Sequence, residues 1–161
     1  MKKQRLMMTV WAALGVLLLT GSAFAGWWDN VGDAQQVELE DLIENPRAWK
    51  GKEVSFECVF HGVSQYYNPY YTRFTSSQYV NFSVWSARQQ IWKQDEYVNS
   101  HKFLFLEKDN KAFPIVGEVT KFAKLRVTGY VQSAFKNLPW IEVRFIEVLD
   151  DSLSRAPLRE I

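Results

Sequence analysis

Gly51-Lys52-Glu53-Val54-Ser55-Phe56-Glu57-Cys58-Val59-Phe60-His61-Gly62-Val63 opens the stretch on which the fold turns. Val54, Phe56, Cys58 and Phe60 alternate with Glu53, Ser55, Glu57 and His61, the period of a half-buried strand with the first set facing inward. Gly62 keeps the inward parity and marks a bulge or a sharp bend. A tyrosine-rich segment, Gln65 to Gln78, follows. Val80, Phe82 and Val84 then alternate with Tyr79, Asn81, Ser83 and Trp85, a second strand whose latter set points away from the core. The reading is strand, long aromatic loop, strand.

The flanking chain supplies what closes a small barrel around that hairpin. Upstream, Leu39, Leu42 and Ile43 fall on one face of a short helix, which Pro46 limits because the residue before proline avoids helical angles. Trp49 is placed beneath the first strand. Downstream, 87–100 is a polar excursion or a short helix, and Phe103, Leu104, Phe105 and Leu106 lie in a buried third strand over 101–107. A connector with one helical turn covers 113–122. Leu125, Val127, Gly129 and Val131 share one face of a fourth strand over 124–133. Ile141, Val143 and Phe145 face inward from a fifth over 140–149, and Ile146 and Val148 break that phase, which predicts a bulge near Phe145. The fold class is all-β: a five-stranded OB-like Greek-key barrel preceded by a short helix.

The segments Leu42-Ile43-Glu44-Asn45-Pro46, Gly51-Lys52-Glu53-Val54, Leu125-Arg126-Val127-Thr128-Gly129-Tyr130-Val131 and Pro139-Trp140-Ile141-Glu142-Val143 together resemble small exported bacterial OB-fold proteins, over about residues 39–149. The resemblance implies the fold; it carries no catalytic signature and names no ligand.

The chain has 161 residues, enough for one domain. Lys2, Lys3 and Arg5 precede an apolar run, Leu6 to Leu19, and Ala23-Phe24-Ala25 presents small residues where a signal peptidase reads. This is a secretory signal peptide over 1–25, cleaved after Ala25, which sends the protein to the periplasm or the medium and leaves no stable membrane span. The rival reading keeps the segment as an anchor, with Trp27 and Trp28 at the membrane interface. A flexible lead-in over 26–36, the barrel domain over 37–149 and a polar tail over 150–161, with Leu153 and Leu158 in a loose helix, complete the organisation.

Of 19 basic and 18 acidic residues, cleavage removes three basic ones and leaves a net charge of −2. Phosphate neutralisation asks for a basic face, so the charge balance is set against nucleic acid as a partner. Cys58 is the only cysteine, so no internal disulfide forms and stability must come from packing. Cys58 and His61 have opposite parity on one strand and make a poor metal pair. No nucleophile, zinc or phosphate-loop motif is present, and neither metal nor cofactor is expected.

The candidate site is the aromatic loop with the outward stripe of the second strand. Tyr66, Tyr67, Tyr70, Tyr71 and Phe74 offer stacking surfaces and Arg73 a planar cation. Tyr79, Asn81, Ser83 and Trp85 add a mixed face of rings and hydrogen-bonding groups on the strands an OB-fold uses for binding. In the other flanking loop, Phe135, Lys136 and Asn137 are exposed candidates. The competing reading folds the loop back as a lid whose rings complete the core. The function expected is a non-enzymatic exported binding module for an extended ligand, an oligosaccharide, a peptide or an envelope protein. The alternatives are a structural subunit of an envelope assembly and, less favoured, a single-stranded nucleic-acid binder.

Overall fold

The structure is a computed structural model and describes residues 34–151. The expected signal peptide, residues 26–33 of the lead-in, and the tail beyond residue 151 lie outside the described residues.

Among the described residues, six strands and four short α-helices run in the order β1 (Gln35–Gln36), α1 (Leu39–Glu44), α2 (Pro46–Trp49), β2 (Glu53–Ser64), β3 (Tyr79–Ser86), α3 (Gln94–Val98), β4 (His101–Glu107), α4 (Phe113–Glu118), β5 (Lys124–Ser133) and β6 (Trp140–Asp150), with a 3-10 turn over Phe135–Asn137. β3 is antiparallel to β2 and to β4, β4 runs parallel to β6, and β5 is antiparallel to β6 and to β2. The last pairing closes the sheet. Five strands from β2 onward, with a helix between the third and the fourth, are the OB-like connectivity.

The expected count of five strands is corrected by β1. β2 pairs with β5 from Glu53 to Val59 but meets β3 only from Cys58 onward. That leaves one edge of Val54 and Ser55 open, and Gln35 and Gln36 fill it in parallel register. The Val37 amide continues the pairing to the Ser55 carbonyl at 3.0 Å. The last residues of the lead-in are therefore part of the sheet, because exposed ladder groups recruit a partner.

Val54, Phe56, Cys58 and Phe60 are buried inside the barrel with Phe82, Val84, Leu104, Leu106, Leu125 and Val127, and Leu39 and Leu42 of α1 pack against the same cluster. Trp49 is partly buried against it, as its position predicts. The β2–β3 register shifts between Phe60 and Gly62, which leaves His61 as the extra residue of a bulge. On β6 the partner of Thr128 is Phe145 and that of Gly129 is Val143, so Arg144 is extra. That bulge reverses the phase: Ile146 is the core residue and Phe145, expected inward, is only half buried. Gly129 sits where β5 and β6 press together. A Cβ there would lie 2.6 Å from the Glu142 carbonyl oxygen and 2.8 Å from Ile141 Cγ2.

Candidate functional site

The outer face of β3 is the main departure from the sequence reading. Tyr79, Asn81, Ser83 and Trp85 were expected to stand exposed, and all four are buried. Two segments cover them. The loop between β2 and β3 lies over one end, and the chain around α3 and the connector before β5 lies over the other. Both faces of the strand are thus packed, which an alternating pattern alone cannot distinguish from one packed face.

Under the loop, Phe74, Tyr79, Phe105 and Trp140 form a second apolar cluster, flanked by Tyr67, Phe135 and Leu138. Phe74 is fully buried and stacks on Phe105 with centroids 4.2 Å apart and planes 1° apart. Its edge meets Tyr79 at 5.0 Å. Phe74, expected to stack on a ligand, is instead a core residue of the cap. Tyr67 is half buried; its hydroxyl donates to the Tyr79 carbonyl at 3.1 Å and accepts from the Asn81 amide at 3.2 Å. Asn81 is saturated: Nδ2 donates to the carbonyls of Lys102 and Leu104 at 2.7 and 2.9 Å, and Oδ1 accepts from the Tyr66 amide at 2.9 Å. It holds the loop and the strands together and has no side-chain group left to orient a ligand.

Glu142 is the polar centre of this layer and was not singled out in the sequence. Its carboxylate pairs with Arg73, accepts from Tyr79 Oη at 3.3 Å and accepts from Gln132 Nε2 at 2.6 Å. Burial works against the Arg73 charge, and the hydrogen bond and charge of Glu142 more than offset it, raising the guanidinium pKa. The Tyr79 phenol is pushed up, first by burial and then by the Glu142 charge, so it stays an O–H donor at neutral pH. The only sequence signal was a carboxylate between Ile141 and Val143, which reads as an exposed position until the loop is known to cover it.

The loop's remaining rings face outward, two of them on stacked supports. Tyr66 stacks on buried Trp140 at 5.7 Å and 17°, and Tyr71 stacks on Phe135 at 4.2 Å and 15°. Phe135 and Trp140 belong to the turn and strand of the other flanking loop, so the two loops meet ring to ring. Tyr66, Tyr71 and Tyr70 are 42, 63 and 92 % exposed. Arg73, Lys136 and Asn137 are also exposed. Of the ten residues nominated from sequence, Tyr66, Tyr70, Tyr71 and Arg73 are at the surface, and Tyr67, Phe74, Tyr79, Asn81, Ser83 and Trp85 are wholly or partly buried.

At the other end, Trp85 donates from Nε1 to the Tyr97 carbonyl at 2.9 Å and stacks on Phe122 at 5.4 Å. Ser83 Oγ donates to the Gly62 carbonyl at 3.1 Å and lies 2.7 Å from His61 Nδ1. Burial pushes the Cys58 thiol well above its ordinary range, with the Glu57 charge adding to it, so the thiol is neutral and unreactive in the native state. Among the described residues no group of three metal-ligating side chains converges.

No family model matches the chain, and no curated protein matches it. Solved structures do. One is a replication protein A heterotrimer bound to single-stranded DNA, 16% identical, covering 63% of this chain and 61% of that one, with a TM-score of 0.38. Another is described as an aspartyl-tRNA synthetase from Leishmania major, 8% identical, covering 81% of this chain and 22% of that one, with a TM-score of 0.47. The chain spans less than two thirds of either. One correction follows. The charge balance set nucleic acid aside as a partner; a charge balance alone does not carry that exclusion, and it is withdrawn. A net charge averages over the surface, whereas binding depends on local arrangement.

Proposed function

We propose that this chain is an exported, non-enzymatic binding module that holds an extended ligand on the aromatic crest of the β2–β3 loop. The observation that carries the reading is Tyr70, 92 % exposed in a loop whose neighbouring rings are fixed by stacking on the opposite loop. Three tyrosines held out at the surface forgo apolar burial, and the two that are stacked, Tyr66 and Tyr71, lose little further entropy on binding. The polar side chains beneath them are engaged in the hydrogen bonds that fix the cap, which favours a stacking surface over a proton-transfer site. Export rests on the sequence features of residues 1–25.

The crest is tested with two labelled probes, an oligothymidylate and a chitooligosaccharide, since bases and sugars both present faces to a ring. Wild-type protein binds one of them, and the double substitution Tyr70→Ala, Tyr71→Ala weakens that binding about tenfold or more, from roughly 1–3 kcal/mol per stacked ring. The melting temperature of Tyr70→Ala alone stays unchanged, whereas the double variant also loses the Tyr71–Phe135 stack and melts slightly lower. If neither probe binds, or the variant binds as well as wild type, the reading fails. Intact mass of protein recovered from the exported fraction tests the rest: a chain starting at Gly26 supports export with cleavage, and one starting at Met1 overturns cleavage.

A further inference from the structure

At the end of the barrel face away from the loop, His61 and Lys121 meet on the same two rings, and Lys102 lies on the neighbouring strand. His61 is the extra residue of the β2 bulge, and such a residue aims its side chain where the regular ladder would not. Its ring stands edge-on to Trp85 at 4.6 Å and near Tyr97 at 6.4 Å. Lys121 caps the same rings, with Nζ 5.5 Å from the Trp85 centroid and 4.7 Å from that of Tyr97, and donates to Tyr97 Oη at 2.6 Å. Lys102 is exposed on β4, where the β3–β4 register skips between Phe82 and Val84 and sets Ser83 against Lys102 and Phe103.

We propose that His61, Lys102 and Lys121 form a binding site for a tetrahedral oxyanion, a phosphate or sulfate group. Proton placement supports it. A serine hydroxyl has one hydrogen, and Ser83 directs it to the Gly62 carbonyl, so the 2.7 Å contact with His61 makes Nδ1–H the donor. Nε2 is then the nitrogen that gains a proton when His61 becomes imidazolium, and it has no hydrogen-bond partner among the described residues. Burial lowers the His61 pKa first, then the charges of Lys121 and Lys102 lower it further, and no carboxylate offsets them. Asp151, bonded to Thr120, is not among the charges that act on this ring. Two ammonium groups beside a latent third cation, with no carboxylate of the described residues among the charges acting on the ring, are what an oxyanion complements. Its arrival neutralises the lysines' repulsion and favours protonation of His61, so binding and protonation reinforce each other.

The test is a proton NMR titration of the histidine resonances in sulfate and in chloride at matched ionic strength, with His61 assigned by its loss in His61→Asn. Sulfate is chosen because its own charge is constant from pH 5 to 8. The His61 midpoint rises in sulfate, and sulfate binds about tenfold tighter at pH 5.5 than at pH 8, the factor a one-unit shift implies. His101, which faces Glu40 rather than a lysine pair, stays put and serves as the internal control. Lys102→Gln and Lys121→Met each remove most of the effect. Lys121 also braces the Trp85 and Tyr97 rings, so the exposed Lys102 carries the test if Lys121→Met does not fold. Methyl phosphate run beside sulfate separates the sources: tighter binding of the ester points to a phosphate carried on a larger ligand, tighter binding of sulfate to a free oxyanion, and either supports the site. A His61 midpoint equal in sulfate and chloride, a shift equal at His101, or a sulfate effect that survives Lys102→Gln overturns it.

Discussion

Glu142 shows what a single buried carboxylate does in this molecule. It gathers a guanidinium from the loop, a phenol from β3 and an amide from β5, so its removal strands three partners at once. Arg73, with a side chain 55 % exposed, returns to water at little cost, whereas Tyr79 Oη and Gln132 Nε2 lose a buried acceptor. Glu142→Ala is therefore expected to lower unfolding stability by about 1–3 kcal/mol, and Arg73→Ala by less, since Glu142 keeps two donors. Urea denaturation of both variants checks the order, and equal losses would count against the network. The histidines give the pH dependence. Both have pKa values below the ordinary 6.5, first because of burial. A lowered folded-state value means that the unfolded chain takes up the proton first as pH falls. Their contribution to stability is thus complete above about pH 6.5 and is lost as pH falls through the folded-state values. The urea midpoint is expected to drop from pH 7.5 to pH 5, and the slope to flatten in a His61→Asn, His101→Asn double variant.

The elements divide by how their partners are arranged in sequence. β2, β5 and the first half of β6 were legible because each places one alternating set in the barrel, and the periodicity of Val54, Phe56, Cys58 and Phe60 or of Leu125, Val127 and Val131 records it directly. β1 was not legible: two glutamines carry no apolar pattern and pair only because β3 leaves an edge of β2 open. The outer face of β3 was misread for a related reason. Tyr, Asn, Ser and Trp are amphipathic enough to suit either solvent or a covering loop, and what decides is a contact such as Phe74 on Phe105, thirty-one positions apart. The loop's two roles, cap and exposed crest, were both open from sequence, and the structure divides the rings between them. Phe74→Ala removes the stacked centre of the cap, about 3 kcal/mol of packing by comparison with other buried phenylalanines. The loss is expected to fall on the loop: the Tyr66 and Tyr79 amides exchange hydrogen faster while those of β2 paired with β5 keep their protection. Gly129→Ala acts on the strands instead. A methyl against the Glu142 carbonyl and Ile141 forces β5 from β6, and a loss of about 1–3 kcal/mol in unfolding free energy, read as a lower urea midpoint, is expected.

Across the whole described domain, packing therefore comes in two layers: the barrel interior and a cap of rings outside β3, β4 and the start of β6. Cys58 reports on the first alone. Its side chain faces the interior, its strand is paired on both edges, and burial keeps the thiol protonated far above the usual range. A thiol reagent reaches it only when the barrel itself opens, so labelling at pH 8 follows the global unfolding equilibrium rather than local motion. Gly129→Ala, which strains the barrel, is expected to speed labelling by about 5- to 150-fold, the factor corresponding to its 1–3 kcal/mol. Phe74→Ala is expected to speed it less, because the cap opens on its own and a cap lost ahead of the barrel lowers the global equilibrium by no more than the free energy that held the cap shut. Equal acceleration by the two variants would mean that cap and barrel unfold as one unit, and the division into two layers would then be one of geometry without a counterpart in stability.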